Sequence, residues 1–284
     1  MANPQKFCIF CDGPHLTKTH IWPDWLNRLL APPGQRHEHL DDPHDSSVRR
    51  SRTKQGSVFS QKPYLCCEAC NTGWMKRFED EMLKFSRPIF TSLDTITNLD
   101  HTQTRVLAVW ISLITILAEF IDRKTSICIP KEDRIFVRKY LRPPDTWTIL
   151  AMSSDAPSWY AKYRHHASRI CNFSGAAEYH AAVASEFPDN TQISTFGMGH
   201  LLVQVFSCPN ERYVQDYRAG AKSKGALQIW PIRRAFWPFV RCASTFPTKT
   251  VLTDYEAGLF ADSFNKRIRI LTQPPFFGGQ SIGP

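Results

Sequence analysis

The 284-residue sequence predicts an α+β fold: a small metal-pinned module over residues 1–92, followed by a larger mixed α+β domain over 93–284. Five of the nine cysteines lie within the first 70 residues, where turn formers outnumber periodic apolar runs and a metal ion is the natural source of order. Apolar residues then recur at helical spacing between Met75 and Tyr140. Beyond Pro144 the pattern changes to short β-like runs separated by Pro, Asn, Asp and Gly.

In chain order, Ala31–Lys62 reads as a long mobile loop, with Pro32-Pro33-Gly34 at one end and a basic stretch further on. Met75, Phe78, Met82 and Phe85 place a helix over Met75–Phe85, ended by Pro88. A second helix runs from Gln103 to Asp122, with Val106, Leu107, Val109, Trp110, Leu113, Ile114 and Leu117 leaving little polar surface. Its apolar stretch, Val106–Ile121, contains Glu119 and has 16 residues, short of the roughly 20 a membrane span requires. It reads as a buried core helix, with no membrane partner. A third helix starts with Pro130 in its first turn and carries Ile135, Val137 and Tyr140. Strands are expected at Trp147–Met152, Trp159–Tyr163, Ile193–Phe206 and Leu227–Ile232, and a loosely tethered tail at Gln273–Pro284.

With 42% hydrophobic residues the chain is long enough to bury a substantial core. A net charge of +9 and a pI near 9.1 favour polyanionic partners, nucleic acid first among them. No basic-then-apolar leader precedes Cys8, so a cytoplasmic protein with unpaired cysteines is expected.

Cys8-Ile-Phe-Cys11 and Cys67-Glu-Ala-Cys70 are both CxxC pairs, a spacing in which two thiolates on a tight knuckle grip one ion. Two such knuckles complete a tetrahedron around one structural zinc, and the 55 residues between Cys11 and Cys67 must be excluded from it. Cys66 breaks the spacing and reads as a packed thiol.

Around these knuckles stand Leu16-Thr17-Lys18-Thr19-His20-Ile21-Trp22-Pro23 and Cys67-x-x-Cys70-Asn71 opening a helix. Over roughly residues 6–88 this layout resembles the HNH, or ββα-metal, endonuclease family in its zinc-stabilised branch. The resemblance implies a zinc-pinned ββα-metal module that hydrolyses phosphodiester bonds. His20 would be the general base. A magnesium or manganese ion distinct from the zinc would be held by Asn71 and Thr19. The family carries an acid where Thr19 stands, and its middle Asn is missing from Gln61-Lys62-Pro63-Tyr64-Leu65. Asp12 and Asp24 are other candidate carboxylates with no better claim, and Glu79 reads as solvated helix surface.

Phosphate contacts in such a nuclease would come from Lys18, Arg49, Arg50, Arg52, Lys54, Lys76 and Arg77, with double-stranded DNA the first expectation as substrate. A second basic and aromatic segment, including Arg212, Tyr213, Tyr217, Arg218, Lys222, Lys224, Trp230, Arg233, Arg234, Phe236, Trp237 and Arg241, reads as sheet surface with long side chains over apolar rings. His165, His166, His180 and His200 read as ordinary polar positions. The C-terminal domain would supply recognition, sensing or homo-oligomerisation, in a role such as defence against phage DNA. The alternative is a non-catalytic zinc-ribbon protein that binds nucleic acid or a protein.

Overall fold

A computed structural model of the chain describes residues 6–30, 36–41, 50–55, 60–93, 98–122, 127–168, 171–172, 189–223, 226–232, 251–261 and 271–272. The fold is mixed, with helices packed on predominantly antiparallel sheets. Arg49, His180, Lys224, Arg233, Arg234, Phe236, Trp237, Arg241 and the expected tail lie outside the described residues.

Strand β1 (Leu16–Lys18) pairs antiparallel with β4 (Tyr64–Cys67), matching Leu16 to Cys67 and Thr17 to Cys66. Between them come helix α1 (Asp24–Leu30) and an antiparallel hairpin of β2 (Arg36–Asp41) and β3 (Arg50–Gln55). The expectation of one long loop is therefore corrected. Arg-His-Glu-His-Leu-Asp and Arg-Ser-Arg-Thr-Lys-Gln pair with almost no apolar residue to mark a buried face, so the period-two signal that betrays a strand is missing.

After β4 the chain enters a wide helical turn, Ala69–Met75, in which Gly73 leaves helical dihedrals (φ −88°, ψ −108°). It continues as α2 (Lys76–Leu83) and α3 (Ser86–Thr91). Pro88 does not end the first helix. It sits in the opening turn of α3, where the N–H it lacks has no intrahelical partner to lose.

Helix α4 (His101–Glu119) begins two residues before its expected start because Asp100 and Gln103 close a reciprocal capping box at 2.8 and 3.0 Å. Every residue from Val106 to Glu119 is buried. By length and composition α4 is a candidate membrane span, but most of it lies inside the protein, the condition of a core helix. Helix α5 (Lys131–Tyr140) follows Pro130, as its position predicts, and stops at Leu141 in the left-handed region (φ 50°).

The main sheet has six strands: β10 (Leu227–Trp230), β5 (Trp147–Ser154), β9 (Leu201–Ser207), β8 (Thr191–Met198) and β6 (Ala161–Ser168) in spatial order, with β11 (Val251–Leu252) beside β5. Short strands β7 (Cys171–Asn172) and β12 (Leu271–Thr272) pair separately. Alternation sorts the side chains onto two buried faces. Trp147, Ile149, Ala151, Val203 and Val205 meet α4 and the N-terminal module, whereas Leu150, Met152, Leu202 and Phe206 meet α6 (Glu211–Ser223) and α7 (Asp254–Ala261).

The expected Ile193–Phe206 strand is two strands that reverse at Gly199 (φ +61°). A Cβ there would lie 2.1 Å from the Phe90 carbonyl oxygen, which already accepts from the His200 N–H at 2.9 Å. Only glycine allows this approach between α3 and the sheet.

The boundary expected near residue 92 does not separate two cores. Trp25 stacks on Trp110 of α4 at 5.9 Å, Trp22 meets Phe196 of β8 edge to face at 5.5 Å, and Arg134 of α5 donates to the Ile9 carbonyl at 3.2 Å. The cysteine knuckles and the sheet thus share one hydrophobic cluster.

Candidate metal centre

The first knuckle is closed by backbone. Cys8 N donates to Gly13 O and Asp12 N donates to Cys8 O, both at 2.9 Å, with Asp12 in the left-handed region (φ 56°). Pairing of β1 with β4 brings the second knuckle alongside. The thiols of Cys8, Cys11, Cys67 and Cys70 all lie within 4.8 Å of one another. Cys11 Sγ is 3.5 Å from Cys67 Sγ and 3.7 Å from Cys70 Sγ, close to the about 3.8 Å that separates thiolates held 2.3 Å from a tetrahedral zinc. The four can hold a metal ion such as zinc. Gly13 leaves the room: a Cβ would stand 3.2 Å from Cys11 Sγ and 3.4 Å from Cys67 Sγ.

Thiols packed this tightly cannot all ionise without a cation among them. Hydrogen bonds from the Cys66 and Cys70 thiols hold Cys8 far below the usual thiol value, and the Cys70 thiol's hydrogen bond to Cys8, with burial, pushes Cys70 up. Cys66 is fully buried outside the set of four, as its spacing predicts. Its N–H donates to the Thr19 hydroxyl at 3.2 Å.

That bond places Thr19 between the two strands. Its side chain is 0% exposed, accepts from Cys66 N and donates to Thr17 O at 3.3 Å. Its hydroxyl fastens the end of β1 to β4 and is fully buried. Asn71 likewise ties the helical turn to β1, its Nδ2 donating to Thr17 Oγ1 at 3.0 Å and to Lys18 O at 3.1 Å. The clip fixes where the chain leaves β1, one residue before Thr19 and two before His20.

His20 is partly exposed, and its Nε2 lies 3.0 Å from Asp24 Oδ1, in the first turn of α1. Lys62 Nζ reaches the same oxygen at 3.4 Å. Burial alone would raise the Asp24 carboxyl, but the His20 and Lys62 charges outweigh it and hold the group below the ordinary aspartate value. Glu79 is half-buried rather than solvated. Desolvation, with repulsion from Asp80 and Asp24, pushes its carboxyl up to about 7 against the pull of Lys76.

Asp24 and Glu79 were the residues hardest to select from sequence. The available signal was the i,i+4 spacing of His20 and Asp24 across the Trp22-Pro23 turn. Among the described residues, His20 joins no cluster of three metal-ligating side chains; those form only at the four cysteines and at Glu119, Cys128 and His165. Of the expected phosphate contacts, Lys18 and Arg77 are exposed, and Lys76 is exposed and paired with Asp80. Arg50, Arg52 and Lys54 lie along β3. In the second basic segment Arg218 is structural, donating to Thr148 Oγ1, Asp145 O and Trp147 O at 2.9–3.1 Å. No family model matches this chain, and neither a curated protein nor a solved structure was found to be similar to it.

Proposed function

We propose that the chain is a zinc-pinned ββα-metal endonuclease that hydrolyses phosphodiester bonds in nucleic acid, with His20 as general base. The observation that carries this reading is the placement of His20: it leaves β1 beside the cysteine knuckles with Nε2 against Asp24. The carboxylate, within ion-pair distance of the ring, supports the charge the imidazole gains when it takes a proton. With Nε2 turned to Asp24, Nδ1 is the nitrogen that takes the proton of the attacking water. The water oxygen then bonds to phosphorus as the P–O bond to the leaving sugar oxygen breaks.

Asp24 and Glu79 offer the hard oxygen donors that magnesium or manganese prefers, and a divalent cation would relieve the repulsion between them. When bound, that ion supplies neutralisation of charge growing on the phosphate. Asn71 is held against β1 through its amide nitrogen and would offer its amide oxygen to that ion. Lys18, Arg77 and the basic strand β3 supply sequence-independent phosphate contacts. The C-terminal sheet serves recognition or control.

The burial of Thr19 favours a second reading, in which the zinc module binds nucleic acid without cutting it. Incubating supercoiled plasmid with the full chain in magnesium, manganese or EDTA separates the two. Nicking that needs the ion and disappears in His20→Ala, with zinc content unchanged, supports the nuclease. Binding without nicking under every condition supports the second reading.

A further inference from the structure

The second converging set of ligand atoms lies outside the N-terminal module and plays no part in the chemistry above. Glu119 ends α4, Cys128 precedes α5, and His165 lies on β6, paired with Ser194 of β8. One oxygen, one sulfur and one ring nitrogen come within 4.8 Å of one another. All three are shielded from solvent: Glu119 is 0% exposed, Cys128 8%, and the His165 side chain 5%.

Glu119 Oε1 accepts from the backbone N–H of Cys128 at 2.6 Å and of Ile129 at 2.9 Å. Those two donors favour the ionised carboxylate, against the larger cost of its burial. Its other oxygen, Oε2, is fully buried with no hydrogen-bond partner among the described residues. An orphaned carboxylate oxygen in a protein interior requires a physical reason. Arg134 acts on Glu119 electrostatically, but its guanidinium donates to Ile9 O and Ile129 O and lies over the Phe120 ring.

His165 is oriented as a ligand would be. Its Nδ1 is 2.8 Å from Ser194 Oγ, and that hydroxyl spends its own hydrogen on Gln192 Oε1 at 2.7 Å. Ser194 therefore accepts from Nδ1–H, which leaves the lone pair on Nε2, the nitrogen 4.0 Å from Glu119 Oε1. A histidine fixed through its far nitrogen is the usual support for a metal-bound imidazole.

We propose that Glu119, Cys128 and His165 bind one borderline divalent cation of the zinc class, independently of the four-cysteine site. Mixed oxygen, sulfur and nitrogen donors suit zinc, and separations of this size close to bonding geometry with a contraction of about 1 Å. The ion would staple the end of α4, the approach to α5 and strand β6, and the enclosure of the site marks it as structural. Binding releases the Cys128 thiol proton to solvent.

The test is metal content of the full chain, purified without chelator and measured by elemental mass spectrometry. Two zinc ions per chain are expected, falling to one in Cys128→Ser, in His165→Gln and in Glu119→Gln, and to a different one in Cys67→Ser. Cobalt substitution identifies which ion remains: Cys67→Ser should keep a weak single-thiolate charge-transfer band that Cys128→Ser removes. One zinc in the wild type overturns the proposal, even where a variant fails to fold. So does a second zinc that survives both Cys128→Ser and His165→Gln.

Discussion

Glu79→Gln separates a working carboxyl from a solvated one. In the folded chain the Glu79 proton is held up to about 7, against 4.5 for an ordinary glutamate, chiefly because the ionised form loses water. Below pH 4.5 the group is protonated whether the chain is folded or not, and it costs nothing. Between 4.5 and 7 the unfolded chain releases the proton while the folded chain keeps it, so stability falls as pH rises; above 7 the full penalty is present. At about 1.4 kcal/mol per tenfold change in proton affinity the penalty is roughly 3 kcal/mol, and partial solvent contact reduces it to about 2 kcal/mol. Glutamine carries no such penalty. Urea unfolding should therefore show wild type and Glu79→Gln alike at pH 4, with the variant about 2 kcal/mol more stable at pH 8. Added magnesium or manganese should close the gap by stabilising only the wild type, and plasmid nicking should be lost in the variant. Equal stability at pH 8, without any effect of either ion, would refute the burial argument and return Glu79 to the solvated surface.

Asp24→Asn removes the carboxylate that supports the charge on His20 and should slow metal-dependent cleavage by about 10- to 100-fold with zinc content unchanged, read from initial nicking rates. Gly13→Ala places a methyl group against Cys11 and Cys67; at about 1–3 kcal/mol of overpacking it should weaken zinc retention about tenfold or more in competition with a chromophoric chelator. Gly199→Ala must both adopt a positive φ and push the Phe90 carbonyl away, so a loss of about 2–4 kcal/mol is expected in denaturant unfolding. Stripping zinc with a chelator should lower the stability of the whole chain by several kcal/mol, seen as one cooperative shift and not as early melting of an N-terminal fraction.

Helices α4 and α5 could be read from sequence because their signals are local: an apolar run too dense to be surface, and a proline where a first turn tolerates it. The four-cysteine centre was legible for the same reason, since CxxC spacing is itself a geometric constraint. What stayed hidden depends on neighbours distant in the chain. The β2–β3 hairpin carries no apolar alternation to announce it. Gly199 turns a run that reads as one apolar strand, and part of the reason it must be glycine, the Phe90 carbonyl, comes from another element. His165 looks like one more polar residue until α4 brings Glu119 against β6, and the expected domain boundary dissolves once Trp25 meets Trp110.

That last contact sets a limit on how the chain can be divided. A fragment ending near residue 92 would carry its cysteines away intact but leave Trp22, Trp25 and Ile9 facing water, and the remainder would expose the flank of α4 and one face of its sheet. Either piece alone would expose part of the cluster the two share. A metal ion held by the four cysteines would therefore add to the stability of the sheet as well as to that of the knuckles beside it.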